Sequence, residues 1–89
     1  MPRIVITHAV ADVDRWLEFK ADRAEAIAGL GGSDVVDHVA LDGSNQIAVT
    51  ADVADVDAMV AALASPPPAV AAAMEEHGVL PPLVTYVEG

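Results

Sequence analysis

The sequence predicts an α+β domain, a four-stranded antiparallel sheet with helices on one face, in the order β-α-β-β-α-β. Three observations lead there. Stretches of β-type alternation and of helical periodicity succeed one another in that order. The segment Val10-Ala11-Asp12-Val13-Asp14 recurs identically as Val53-Ala54-Asp55-Val56-Asp57, 43 residues later, each copy lying where a β run gives way to a helical period. The chain has 89 residues, 54% of them hydrophobic, which suffices for one core and not for two, so a single domain spans residues 1–89.

The first strand is expected at Arg3 to Ala9 and a first helix from Asp14 to Leu30. Val13, Trp16, Leu17, Lys20, Ala24, Ile27 and Ala28 repeat there at helical spacing, and Gly31-Gly32 ends the run. Val35 to Leu41 reads as the second strand, Asp42-Gly43-Ser44-Asn45 as a hairpin turn and Gln46 to Val53 as the third strand. A second helix covers Asp55 to Leu63, with Val56, Met59, Val60 and Leu63 inward. Ser65 before Pro66 looks like a fresh N-cap, so a break and a further helical segment from Pro67 to Glu76 are expected. Gly78 stops that segment, and Leu83 to Glu88 is the fourth strand. Two βαβ halves of this kind make the ferredoxin-like arrangement, whose pseudo-twofold symmetry suits the repeat. Around the repeated segment, Ile4 and Ile6 match Ile47 and Val49, Thr7 matches Thr50 and Trp16 matches Met59. Acids after each strand also suit N-caps and the helix dipole whether or not the halves share an origin.

Charge removes several classes of partner. Four Lys and Arg against 14 Asp and Glu, a formal charge of −10, leave no basic patch for nucleic acid or for an anionic membrane. No stretch reaches the ~20 apolar residues of a membrane span, because Pro66-Pro67-Pro68 interrupts the most apolar window. The first residues lack the small-residue cleavage site of a signal peptide, and a cytoplasmic location is expected. There is no cysteine, hence no disulfide, thiolate metal site or cysteine nucleophile. His8, His38 and His77 fall on separate elements, so no metal site is expected. The lack of a glycine-rich loop ending in lysine removes nucleotide phosphate binding, and no cofactor is expected.

A sheet with helices on one face should alternate apolar with polar if its other face meets water. Instead Val5, Ala9, Val39, Leu41, Ala48 and either Val84 or Tyr86 fall on that face beside Thr7, Asp37 and Thr50. The economical cover is a second copy laid sheet to sheet, enclosing a core or a cavity. A homodimer through the open sheet face is therefore expected. Asp12, Asp14, Asp34, Asp42, Asp55 and Asp57 cluster near helix starts and turns, which would leave that interface nearly uncharged.

The chain resembles the dimeric α/β-barrel superfamily, which includes cofactor-independent antibiotic-biosynthesis monooxygenases, haem-degrading monooxygenases, small polyketide cyclases, muconolactone isomerase and stress-responsive barrel proteins. The resemblance covers essentially the whole chain. It rests on His8-x-Val10-x-Asp12-x-x-x-Trp16, on Asp42-x-x-Asn45-x-Ile47-x-Val49, and on Ser65-Pro66 through Met74-x-x-His77-Gly78-Val79 followed by Pro82. It implies a barrel formed by two chains and leaves the chemistry open. Many relatives carry an arginine on the second strand and a proline in the hairpin, where this chain has His38 and Gly43-Ser44. No Asn stands one turn before Trp16, and the first helix holds no histidine for a haem iron, which argues against haem degradation.

Within this frame the candidate catalytic residues are His8, Asp37 and His38, and the candidate substrate-binding residues are Thr7, Trp16, Thr50 and Tyr86. A histidine suits proton abstraction at neutral pH. The repeat places His8 in the parity of Ile4 and Ile6, on the helix-covered face, where a strand-end histidine bonded to a loop is the plainer alternative. Pairing Leu41 with Gln46 puts Asp37 beside Thr50 and Thr7 on the open face, and a one-residue slip brings His38 there instead. A carboxylate buried without a cation would have its pKa raised and serve as an acid or base. Trp16 is a core residue or stacks on substrate, Tyr86 lines a cavity or anchors the interface, and His77 suits a helix C-terminus. Two functions fit: a protein that binds an apolar small molecule or is structural, or a cofactor-independent monooxygenase, cyclase or isomerase acting on a cyclic or aromatic ketone or lactone.

Overall fold

The two aspartates that the repeat brings into register both cap helices. In a computed structural model describing residues 2–88, Asp12 Oδ1 accepts from the Arg15 amide at 3.2 Å and Asp55 Oδ1 from the Ala58 amide at 3.0 Å. The elements are β1 (Arg3–Val10), α1 (Val13–Glu18), α2 (Lys20–Gly29), β2 (Gly32–Val39), β3 (Gln46–Val53), α3 (Val56–Ala64), α4 (Pro68–Glu76) and β4 (Val79–Val87). The strands form one antiparallel sheet in the order β2-β3-β1-β4. Strict alternation along β1 and β3 sends Ile4, Ile6, Val10, Ile47, Val49, Ala51 and Val53 under the helices. Trp16 and Met59, the matched apolar pair of the repeat, are both fully buried over that face. Burying a large side chain of this kind contributes about 1.5–3 kcal/mol, so this layer supplies most of the drive to fold.

The first helix is broken where the sequence pattern runs on. The Trp16 carbonyl accepts from the Phe19 amide at 3.2 Å and from Arg23 Nη2 at 3.1 Å, and Phe19 leaves helical geometry at φ −98°, ψ 20°. A guanidinium on a helical carbonyl competes with the helix ladder, and the chain bends there. Ser65 does not cap the last helix. Its amide closes α3 on Ala61, and α4 starts behind Pro67 without a side-chain cap. β4 begins at Val79 rather than Leu83. It is an edge strand, where prolines are tolerated, and the cis Pro81-Pro82 pair falls within the register shift between Thr7 and Ala9.

Two expectations are corrected. The sheet does not close into an α/β barrel: β2 and β4 stand as the edges of an open sheet, and four strands are about half of what a small closed barrel uses. The hairpin is also one residue out of the expected register. Val39 pairs with Ile47, His38 with Ala48 and Asp37 with Val49. Asn45 extends the β1–β3 ladder: its carbonyl accepts from the Val10 amide at 2.9 Å and its side-chain amide donates to the Val10 carbonyl at 3.1 Å. β2 ends at Val39, so Ala40 and Leu41 join the connection and lengthen it beyond the expected turn. Asp37 consequently lies on the helix side and His38 on the open side, the reverse of the register in which Asp37 joins Thr50.

The open face carries Val5, Thr7 and Ala9 from β1, Ala48 and Thr50 from β3, Val36 and His38 from β2, and Leu80, Val84 and Tyr86 from β4. Val39, expected on this face, has the parity of Ile47 instead, and Leu41 lies beyond the strand. At one end Arg3 binds Asp52 at 3.1 Å, Asp34 at 3.4 Å and the Thr50 hydroxyl at 2.8 Å. This end of the face is thus charged. Among the described residues no single helix is long and apolar enough to cross a membrane.

Candidate active site

The buried polar groups of this protein gather between the helices and the sheet. Arg23 sits on α2 one turn before Ile27 and two turns after Trp16, which aims it at the sheet. Its Nε meets Asp37 Oδ1 at 3.0 Å and its Nη2 meets Asp37 Oδ2 at 3.0 Å, a two-point ion pair whose side chains are 8% and 5% exposed. The guanidinium lies 3.8 Å above the Trp16 ring. Its Nη1 approaches His77 Nδ1 at 3.4 Å. Phe19, at the break between α1 and α2, stacks on the His77 ring at 4.4 Å. Each of the five residues comes from a different point of the chain, and Arg23 is the group they share.

His8 stands at the other end of the same layer, edge-on to Trp16 with ring centres 6.5 Å apart. Its Nδ1 is 2.8 Å from the Ala9 carbonyl. A carbonyl can only accept, so Nδ1 carries the proton and Nε2 is the basic atom. Burial pushes the His8 pKa below its usual value and the Arg23 charge acts the same way, while the Ala9 carbonyl opposes them. His77 is likewise lowered, first by burial and then by Arg23, against the pull of Glu76, Asp22 and Asp37. Both imidazoles are therefore neutral at pH 7.

A cavity of about 70 Å³ opens between these groups, lined by His8, Arg23 and His77 and by apolar side chains that include Ile6, Ile27, Val49, Leu63, Val70 and Met74. It combines one basic nitrogen, one fixed cation and apolar walls. That set can accept a proton from a ligand and stabilise the anion left behind. Trp16 Nε1 is buried without a hydrogen-bond partner among the described residues. Among those residues no three histidine or carboxylate side chains gather as a metal site.

Of the residues singled out from sequence, the structure brings His8 and Trp16 together here and places Asp37 behind Arg23. His38, Thr7, Thr50 and Tyr86 lie on the opposite face of the sheet. There the Thr50 hydroxyl lies 3.2 Å from His38 Nε2, and Tyr86 is half exposed. Asp37 does not meet the condition of a carboxylate without a cation. Arg23 escaped the sequence reading and His77 was placed only as a helix end. The signal for Arg23 was present, since it continues the 16–20–27 stripe of the first helix.

Fold and cavity together define a small ferredoxin-like α+β protein with an open sheet and a histidine–arginine site buried under its helices. No family model matches the chain, and no curated protein does. Two crystal structures share its fold. One is a candidate antibiotic biosynthesis monooxygenase from Bordetella bronchiseptica, 19% identical, with 99% of this chain and 94% of that one aligned at a TM-score of 0.61. The other, a candidate antibiotic biosynthesis monooxygenase from Deinococcus radiodurans, is 18% identical over 98% and 92% of the two chains, with a TM-score of 0.58. At such identities the likeness is one of fold.

Proposed function

We propose that the protein is a small cofactor-independent enzyme that removes a proton from an apolar cyclic or aromatic ketone, lactone or comparable carbon acid. The observation that carries this reading is His8, neutral, with Nδ1 committed to a carbonyl and Nε2 left basic, in the wall of an apolar cavity beside a fixed cation. The C–H proton passes to His8 Nε2 and the bonding pair moves onto the carbonyl oxygen as an enolate, to which Arg23, its charge already paired with Asp37, offers the one N–H left after its bonds to Asp37, Trp16 and His77. Return of the proton at another carbon isomerises the ring. Attack of the enolate on an internal carbonyl cyclises it. With dioxygen as co-substrate and oxidant, the same anion attacks O2 at carbon, and loss of water from the resulting hydroperoxide turns a CH2 into a C=O, one oxygen atom kept and the other released as water. The fold shared with two candidate monooxygenases supports this class of chemistry.

The small volume of the cavity favours a second reading, a protein that binds an apolar small molecule or is structural. The two part on exchange of carbon-bound hydrogen. With 2-tetralone in D2O, the enzyme should speed deuterium uptake at the carbon beside the carbonyl at least 100-fold over buffer, and His8→Leu should abolish the gain. Uptake at the buffer rate with the ketone bound would leave binding alone.

The open sheet face is proposed as the surface of a homodimer. Val36, Leu80, Val84 and Tyr86 are each more than a third exposed there. A contiguous apolar patch of this kind is unusual on a monomer.

A further inference from the structure

We propose that α4 is the gate of the cavity, a helix that swings away from the sheet to admit a ring-sized ligand and is latched shut by His77 against Phe19 and Arg23. The inference deepens the reading of the cavity as a ligand site and concerns how that site is opened. The first observation is volume. The cavity measures about 70 Å³, whereas an apolar cavity of about 150 Å³ is what holds a single benzene. A cyclic ligand therefore requires one wall to move.

Among the helical walls, α4 is the one that buries none of its own residues. Val70, Ala73 and Met74 line the cavity from it, yet no residue of the helix is fully buried. Four of its nine residues are alanine, whose single methyl groups contribute little on burial. The opposite wall is β1 and β3, the buried centre of the sheet. The helix is also separated mechanically from its neighbours. Pro66, Pro67 and Pro68 have no amide hydrogens, so no helix ladder crosses from α3, and the two helix axes meet at 68°. At the other end Gly78 adopts φ +76° before β4 begins.

What ties the helix down is its last turn. His77 is its C-cap and is only 5% exposed. It stacks on Phe19 and accepts from Arg23 Nη1, while Arg23 itself is fixed by Asp37 and the Trp16 carbonyl. One histidine thus clips a helix without buried residues to an arginine already bonded to Asp37 and the Trp16 carbonyl. Local opening of such an element takes less free energy than global unfolding.

Amide hydrogen exchange on the full chain tests the gate without any turnover, so failure of the proposed chemistry would leave this test intact, and the reverse holds too. The amides of Ala71 to His77 should exchange at least 100-fold faster than those of Ile6 and Val49, with little dependence on dilute urea. His77→Ala should speed α4 exchange at least tenfold further and leave β1 and β3 unchanged. His77→Gln, which keeps an acceptor for Arg23, should give a smaller increase. Phe19→Leu removes the stacking partner and serves if the alanine variant does not fold. Benzene, used as the probe, should shift the amides of Val70, Ala73 and Met74. The proposal is overturned if α4 exchanges only by global unfolding in the wild type and in His77→Gln, or if saturating benzene leaves α4 unshifted.

Discussion

Arg23 and Asp37 form a two-point ion pair almost out of water, at 3.0 Å on both sides, and this one contact joins the middle of α2 to the centre of β2. It orders the site in three directions. The same guanidinium takes the Trp16 carbonyl, breaking the first helix at Phe19, and lies against Trp16 and His77. The break in turn places Phe19 over His77. Geometry that looks like helix irregularity is the consequence of burying one arginine.

Removing half of the pair should be costly. Asp37→Ala leaves a buried guanidinium with its charge uncompensated, and a loss of about 3–5 kcal/mol is expected from breaking a buried pair in this way. Replacing both partners, as Arg23→Met with Asp37→Leu, should recover most of that loss. Urea unfolding of the single and double variants measures the difference. A single variant within about 0.5 kcal/mol of wild type would mean that water reaches the pair.

The two buried imidazoles make stability depend on pH in a defined direction. Both have folded-state pKa values below the usual 6.5, so the unfolded chain takes up protons first as pH falls. Their contribution is fully present above pH 6.5 and is lost progressively on acidification through and below it. Between pH 7.5 and 5 the urea midpoint should fall, and His8→Leu should flatten the slope. Comparing the two proteins at each pH separates this effect from the easing of self-repulsion as the acidic chain takes up protons. A midpoint that is equally steep in the variant would remove His8 as a cause.

Gly32, the first residue of β2, lies tight against Ile27 of α2. A Cβ there would overlap Ile27 Cγ2 and stand 3.3 Å from the Ile27 carbonyl, with Met59 Cε at 3.5 Å. Neither the buried Ile27 nor the backbone behind it can give way freely. Gly32→Ala should therefore cost about 1–3 kcal/mol, as overpacking does. Gly29→Ala, which meets nothing within 4 Å, is the control and should be neutral or stabilising. Thermal unfolding of the pair reads the contrast.

The repeat made the scaffold legible. Asp12 and Asp55 cap, Trp16 and Met59 fill the core, and His8 follows Ile4 and Ile6 to the helix side, because strand parity and capping are local rules. The face of Asp37 was not legible. It turned on where β2 ends: Ala40 and Leu41 leave the strand and the pairing shifts by one residue, which no local pattern of the hairpin announces. The break at Phe19 has the same origin, since it follows from where the Arg23 side chain goes. The barrel failed for a different reason: closure was inferred from resemblance, whereas strand order leaves β2 and β4 as open edges.

The open face supplies the remaining prediction. Val84 pairs beside Thr7 and Tyr86 beside Val5, so the apolar centre of this face lies along β1 and β4, away from the ionic end at Arg3, Asp34 and Asp52. Two of the four cations, Arg3 and Arg23, pair with aspartates of their own chain and are not available to bridge copies. With −10 on each copy, long-range repulsion opposes association and salt should relieve it. Sedimentation equilibrium at micromolar concentration should return twice 9.1 kDa, with a dissociation constant that falls modestly between about 0.05 and about 1 M NaCl, from about threefold below to about sevenfold above physiological ionic strength. Val84→Asp places a carboxylate in the apolar centre and should give monomers that retain the fold. A dimer that survives Val84→Asp would put the contact elsewhere, and a dissociation constant rising with salt would mean that the Arg3 cluster exchanges partners across the interface.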